Sequence, residues 1–123
     1  MVKIGLDFHG VITENPVFFS RLSKILCRSG NEVHIITGSM VTSDLLNKLK
    51  EYDIEYTHLF SITDYHIKIG TALVGYESNR PVIDDLAWDR TKANYCREKG
   101  IDLHIDDSPE YGRYFTTPFA LIN

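Results

Sequence analysis

The feature that most constrains the fold is the alternation of short apolar segments with longer amphipathic ones. Residues 2–6, 33–36 and 103–105 have the composition of buried strands, and apolar residues recur at helical spacing between them. Strands that alternate with helices are typical of a parallel sheet covered by helices on its faces. We therefore expect an α/β, three-layer Rossmann-like fold. A chain of 123 residues fits a single domain over residues 1–123.

Several helix boundaries can be predicted. Asn15 followed by Pro16 predicts the start of a first helix, and a second is expected from Thr42 or Ser43 to a point before Asp53. Asp89 predicts the N-cap of a third helix that runs to residue 99. The predicted buried residues of the first two helices are Phe18, Leu22, Ile25, Leu26, Leu45, Leu46, Leu49 and Tyr52. Residues 54–60, 82–83 and 119–122 are expected to be strands, and the pattern of residues 61–81 permits no firm assignment.

Three of the apolar segments are followed at once by a carboxylate or a hydroxyl group. Asp7 follows the first segment, Thr37 follows the second, and Asp106 and Asp107 follow residues 103–105. Ligands bind outside the carboxyl ends of the strands in an open parallel sheet. We therefore expect these four side chains to lie around one site.

Lys92 is the expected positive charge of this site. The predicted helix would bring it close to the strand ends in its first turn, on a stripe shared with Trp88, Tyr95 and Cys96. A lysine on an apolar face requires a negative partner. Carboxylates, a lysine and a hydroxyl group together suit phosphoryl transfer, because Mg²⁺ prefers oxygen ligands and a carboxylate can be a covalent nucleophile.

These residues resemble the motifs of haloacid-dehalogenase-like phosphatases. Asp7-Phe8-His9-Gly10-Val11-Ile12-Thr13 looks like the first motif, commonly written DxDGxxT, and a strand ending in Thr37-Gly38 is similar to the second. Lys92 matches the third motif, and Asp106-Asp107 matches the fourth. The resemblance implies a Rossmann-like sheet of strand order 3-2-1-4-5 with no cap domain or a minimal one.

The resemblance also implies the role of each matching residue. Asp7 would be the nucleophile and a Mg²⁺ ligand, and Asp106 would bind Mg²⁺ directly. Asp107 would contact Mg²⁺ through a water molecule or hold Lys92 in place. Lys92 would balance the negative charge of the site. The backbone carbonyl of His9 would be a further ligand.

The second motif would bind the substrate. The Thr37 hydroxyl group, the Gly38 amide and Ser39 would hold the phosphoryl oxygens together with Lys92. The expected reaction is therefore Mg²⁺-dependent hydrolysis of a phosphate monoester through an aspartyl-phosphate on Asp7.

The sequence departs from the family at His9, where the pattern has an aspartate that acts as general acid and base. Histidine can transfer protons, with an ordinary pKa of about 6.5, but a neighbouring cation disfavours its protonated form. Two alternatives therefore remain: a catalytically weak or inactive module that binds metal and phosphate, and a phosphotransferase or nucleic-acid-end phosphatase.

The expected substrate is a phosphorylated small molecule or a nucleotide. About 23 residues separate Thr13 from Thr37, too few for a cap domain, so the site should be open or be covered by a second copy of the chain. The formal charge of −4 argues against a nucleic-acid-coating function, and a nucleic-acid end is the less favoured substrate.

The remaining polar residues suggest a reduced environment and no zinc. Cys27 and Cys96 are far apart in sequence, and residues 1–6 lack the pattern of a signal peptide. We therefore expect a cytoplasmic protein that does not associate with membranes. His34, His58, His66 and His104 show none of the short spacings of zinc ligands and are expected to be ordinary strand or loop histidines.

Overall fold

Five parallel strands form the central sheet of the computed structural model, which describes residues 1–77 and 80–122. The described residues form seven strands, which are, in order, β1 (Lys3–Leu6), β2 (Glu32–Thr37), β3 (His58–Ser61), β4 (Gly75–Glu77), β5 (Arg80–Val82), β6 (Leu103–Asp106) and β7 (Phe119–Leu121). The central sheet has the order β3-β2-β1-β6-β7, which is 3-2-1-4-5 when only its own strands are counted. The expected α/β fold with a Rossmann-like parallel sheet is confirmed.

Within the part of the chain that the structure describes, five α-helices connect the strands, and a short helical turn (Phe8–Ile12) follows β1. The α-helices are α1 (Pro16–Arg28), α2 (Ser43–Glu51), α3 (Ile62–Ile69), α4 (Asp85–Lys99) and α5 (Pro109–Gly112). Each helix of the described chain is too short or too polar to cross a lipid bilayer.

The two faces of the sheet carry different hydrophobic clusters because alternate residues of a strand point to opposite faces. On β2, Val33 and Ile35 pack with residues of α1 and α2, whereas Ile36 packs with Cys96 of α4. Helices therefore cover both faces, and β2 lies between two layers of side chains.

Several predicted core positions of the helices are wrong. Phe18, Ile25 and Leu46 are 59%, 65% and 43% exposed, whereas Phe19 is buried. The apolar residues of α1 occupy a wider arc than the sheet can cover. The face of α1 that carries Phe19 packs on the sheet, and the neighbouring face that carries Phe18 and Ile25 does not. Helical periodicity alone could not choose between these two faces.

The predicted strand over residues 54–60 is shorter in the structure, where β3 covers His58–Ser61. The unassigned segment 61–81 contains α3, which begins at Ile62 with Ser61 as its N-cap and ends at Gly70. It also contains the start of a separate antiparallel hairpin formed by β4 and β5. Residues 78–79 of this segment lie outside the described chain.

The predicted start of the third helix is also wrong. Helix α4 begins at Asp85, and the N-cap is Asp84, whose side chain accepts a hydrogen bond from the Ala87 amide. Asp89 is an interior residue, and Lys92 therefore lies in the third turn rather than the first. Both Asp84 and Asp89 are suitable caps in sequence, and the local pattern could not choose between them.

Candidate functional site

A cavity of about 280 Å³ opens at the carboxyl ends of β1 and β2. Every site residue predicted from the sequence lines it except Asp106, which is fully buried behind it. The complete lining is Asp7, His9, Gly10, Thr37, Gly38, Ser39, Trp88, Lys92, Asp107, Ser108 and Tyr111. The structure therefore gathers residues from four separate parts of the chain.

Asp7 is positioned by the end of β1 and by the turn that follows. Its amide donates to the Ile105 carbonyl (3.0 Å), so the strand pairing with β6 continues to this residue. Gly10 has φ 83°, a conformation that glycine adopts without strain, and its amide donates to the Thr13 hydroxyl (2.9 Å). The chain thus turns sharply after Asp7, and buried Val11 anchors the turn in the core.

Lys92 joins two of the carboxylates. Its side chain is only 1% exposed, and its Nζ donates to Asp7 Oδ1 (3.0 Å) and Asp106 Oδ2 (2.7 Å). Trp88 packs against Gly38 beyond the end of β2, whereas Cys96 packs with Ile36 inside the sheet. The middle of α4 is therefore level with the site, and Lys92 reaches it from the third turn.

Asp106 accepts four hydrogen bonds from the protein. His104 Nε2 donates to Oδ2 (2.8 Å) beside Lys92, and the amides of Asp107 (2.9 Å) and Ser108 (3.2 Å) donate to Oδ1. Burial alone would raise the pKa of Asp106, but the hydrogen bonds from His104 and Lys92 outweigh it and lower the pKa to about 2. Both oxygens of Asp106 are thus already engaged.

Asp7 has the opposite electrostatic environment. Burial raises the pKa of Asp7 from 3.8 to about 7; Lys92 opposes this rise, and the nearby carboxylates of Asp106 and Asp107 add to it. Asp7 and Asp106 share one lysine, but Asp106 has three further donors. The negative charge of Asp106 is therefore stabilised by more partners than that of Asp7.

The donor set of the site fits a divalent cation. Carboxylate oxygens of Asp7, Asp106 and Asp107 lie within 4.8 Å of one another, and among the described residues that line the cavity Lys92 is the only one with an ammonium group. A Cβ built on Gly10 would lie 1.9 Å from Asp107 Oδ2, so only glycine allows this carboxylate to approach the turn. The site thus has several carboxylate oxygens and more negative than positive groups, which is the environment that Mg²⁺ prefers.

The loop after β2 presents hydroxyl and amide groups. Thr37 is buried at the strand end, and its Oγ1 accepts a hydrogen bond from the Ser39 amide (3.2 Å), which leaves its own proton for another acceptor. Thr63 Oγ1 donates to the Gly38 carbonyl (2.7 Å) and fixes the loop from α3. The arrangement suits binding of an anion.

Two residues of the site were missed in the sequence. Tyr111 of α5 places its ring 4.6 Å from Lys92 Nζ, and its hydroxyl oxygen accepts a hydrogen bond from Trp88 Nε1 (2.8 Å). His104 was expected to be an ordinary strand histidine, yet it holds Asp106. Its position two residues before Asp106, on the same face of β6, was the available signal; Tyr111 had none beyond its closeness to Asp107.

Comparisons with protein-family models, with curated proteins and with solved structures give no match to this chain. The interpretation of the site therefore depends on its own geometry and on the motifs that the sequence carries.

Proposed function

We propose that the chain is a Mg²⁺-dependent phosphatase that hydrolyses phosphate monoesters through an aspartyl-phosphate on Asp7. The observation that carries the proposal is the buried lysine that bridges Asp7 and Asp106 beside an open cavity. The motif resemblance to haloacid-dehalogenase-like phosphatases supports the same function, with the small β4–β5 hairpin in place of a cap domain.

The residues that would hold Mg²⁺ are Asp7, Asp107 and the backbone carbonyl of His9. Asp107 replaces Asp106 as the direct ligand in this assignment, because the oxygens of Asp106 already accept four hydrogen bonds. Asp106 then acts on the site through Lys92. The cation supplies charge neutralisation at the phosphoryl oxygens when it is bound.

Asp7 carries out the covalent step. One of its carboxylate oxygens attacks the phosphorus atom, the bond from phosphorus to the leaving oxygen breaks, and that oxygen takes a proton. A water molecule then attacks the phosphorus atom, loses a proton and releases inorganic phosphate, which restores Asp7. Lys92, 3.0 Å from Asp7 Oδ1, offsets negative charge throughout.

The remaining residues position the phosphoryl group and transfer protons. The Thr37 hydroxyl group and the Gly38 amide donate to the phosphoryl oxygens, with Ser39 beside them in the cavity lining. His9, at the position of the family's general acid, is the candidate proton donor to the leaving oxygen.

The test is phosphate release from an aryl phosphate and from a panel of nucleotides and sugar phosphates, with Mg²⁺ and with a chelator. Asp7→Asn should abolish metal-dependent release. Asp89→Asn makes the same change inside α4, away from the cavity lining, and should leave release intact. Release that survives Asp7→Asn would refute the nucleophile assignment. Phosphate-ended oligonucleotides in the same panel separate a nucleic-acid-end phosphatase from one for small molecules.

A module that binds metal and phosphate without turnover is the second candidate, and the placement of His9 favours it. The His9 ring lies edge-on to Phe8, with 4.9 Å between ring centroids, and the side chain is exposed. Mg²⁺-dependent binding of phosphate compounds without hydrolysis, and without rescue by His9→Asp, would support this alternative. Turnover gained by His9→Asp would instead show that His9 limits a functioning phosphatase.

A further inference from the structure

A second group of metal-ligating side chains lies at the opposite end of β2. Glu32 and His34 are two residues apart on one face of the strand, and His58 on β3 is the register partner of His34. One ligand atom of each residue lies within 4.8 Å of the others. Thr37 lies five residue steps along the parallel strand from Glu32, which is a span of about 16 Å, so this group is distinct from the cavity described above.

The two imidazole rings face one carboxylate oxygen. Glu32 Oε1 is 2.8 Å from His34 Nε2 and 3.9 Å from His58 Nδ1. The rings are stacked, with 4.1 Å between centroids and 4° between planes. Lys3, the register partner of Glu32 on β1, donates from its Nζ to the Lys99 carbonyl (3.1 Å), and its positive charge also acts on the Glu32 carboxylate from a distance.

We propose that Glu32, His34 and His58 form a binding site for Zn²⁺, with a water molecule as the fourth ligand. Two imidazoles and one carboxylate are an established zinc ligand set, with bonds of about 2.0–2.2 Å. Tetrahedral geometry at these bond lengths puts ligand atoms about 3.3 Å apart, so the observed separations bracket the required one.

His58 is the residue that would move to bring the three ligand atoms to zinc-binding distances. Its side chain is 47% exposed, whereas that of His34 is 1% exposed, so His58 is free to tilt out of the stack towards the ion. On binding the ion, His58 Nδ1 would give up its hydrogen bond with the Thr57 hydroxyl group (2.8 Å). Thr57 would keep its hydrogen bonds with the Val33 backbone.

Tyr95 supplies the support that zinc-binding histidines have in proteins. Its hydroxyl group lies 2.7 Å from His34 Nδ1. When Nε2 binds the ion, Nδ1 carries the proton and donates it to the Tyr95 oxygen, which fixes the ring orientation. A tyrosine hydroxyl can donate or accept, so the contact persists with and without the ion.

The spacing of the histidines predicted no zinc site, because it lacks the short intervals that are typical of zinc ligands. The ligands come from two strands, 24 residues apart at His34 and His58, and only the pairing of β2 with β3 brings them together. Bound Zn²⁺ would link these two strands at the edge of the sheet.

The experiment is a Co²⁺ titration in a background that removes the other candidate site, Asp7→Asn with Asp107→Asn. We expect one equivalent of Co²⁺ to give the strong visible absorption of a four-coordinate ion, and Zn²⁺ to displace it. His58→Ala should weaken Co²⁺ affinity by at least about tenfold, and Tyr95→Phe by about 10–100-fold. Glu51→Gln, which alters an exposed glutamate at the end of α2 outside both sites, should leave the affinity unchanged.

Glu32→Gln keeps the shape of the side chain and its hydrogen bond to His34, and should nevertheless weaken Co²⁺ binding. This variant separates ligation from folding, as does the far-UV circular dichroism of each variant. The proposal is overturned if Co²⁺ gives no such absorption at millimolar concentration, or if Glu32→Gln and His58→Ala bind as tightly as the parent. Because the background lacks Asp7, the result is independent of the proposed phosphatase activity.

Discussion

Asp7→Asn is expected to stabilise the metal-free protein at alkaline pH while it removes the proposed activity. Burial is the main reason that the pKa of Asp7 rises from 3.8 to about 7. A raised carboxyl pKa means that the folded state binds the proton more tightly than the unfolded chain. The stability that this proton provides is complete below pH 4 and is lost progressively between about pH 4 and about pH 7.

The magnitude follows from the difference between the two pKa values. Each unit corresponds to about 1.4 kcal/mol, so ionisation of Asp7 at pH 8 lowers the free energy of unfolding by at most about 4 kcal/mol. Asparagine keeps an oxygen that accepts from Lys92 but loses the attraction between the charges. A net gain of about 1–3 kcal/mol is expected, which raises the Tm by about 4–10 °C for a domain of this size.

The assay is thermal unfolding of both proteins with a chelator at pH 5, 6, 7 and 8. The Tm advantage of Asp7→Asn should be largest at pH 8 and should shrink steadily towards pH 5, because the destabilisation by Asp7 accumulates between its two pKa values of 3.8 and about 7. Added Mg²⁺ should raise the Tm of the unaltered protein at pH 8 and leave that of the variant unchanged. A Tm of Asp7→Asn that is lower at pH 8, or a difference that does not change with pH, would refute the reasoning.

Three further substitutions test the contacts around the site. Lys92→Met leaves two buried carboxylates without their cation and should lower the free energy of unfolding by about 3–5 kcal/mol in urea titrations; an effect below 1 kcal/mol would contradict the buried ion pair. Gly10→Ala should lower stability and abolish the Mg²⁺-dependent rise in Tm, because its Cβ would meet the Asp107 carboxylate. Gly30→Ala is the matched control, since Gly30 has a similar φ of 80° but nothing near its Cβ, and it should keep the Mg²⁺ response. Tyr111→Phe removes only the oxygen that accepts a hydrogen bond from the indole N–H and should lower the free energy of unfolding by about 1 kcal/mol. Tyr111→Ala also removes the ring beside Lys92 and should cause a larger loss. Equal losses for the two variants would show that the ring contact contributes nothing.

The strands of the site could be predicted because their signal is local. An apolar run that ends in Asp7, Thr37 or Asp106 indicates both a buried strand and its carboxyl end, and no distant contact is needed to recognise it. The five-stranded sheet places these ends on neighbouring strands.

The features that the sequence did not predict depend on distant contacts. Helix α3 is short, and buried His66 reaches Thr91 of α4 (2.7 Å) only after the chain has folded. The same holds for the hydrogen-bond donors that distinguish Asp106 from Asp107. Adjacent aspartates in a motif are equivalent in sequence, and only the positions of Lys92 and His104 separate their environments.

The alternation of side chains along β2 has a consequence for which changes the chain can tolerate. Val33 and Ile35 face one hydrophobic cluster and Ile36 the other, while Glu32 and Thr37 end the strand at the two proposed sites. Insertion or deletion of a single residue within this strand would exchange the two sets of side chains and damage both clusters together. Substitutions at its first or last residue would each alter one site. Changes in length are therefore expected to accumulate in the hairpin region and not in β2.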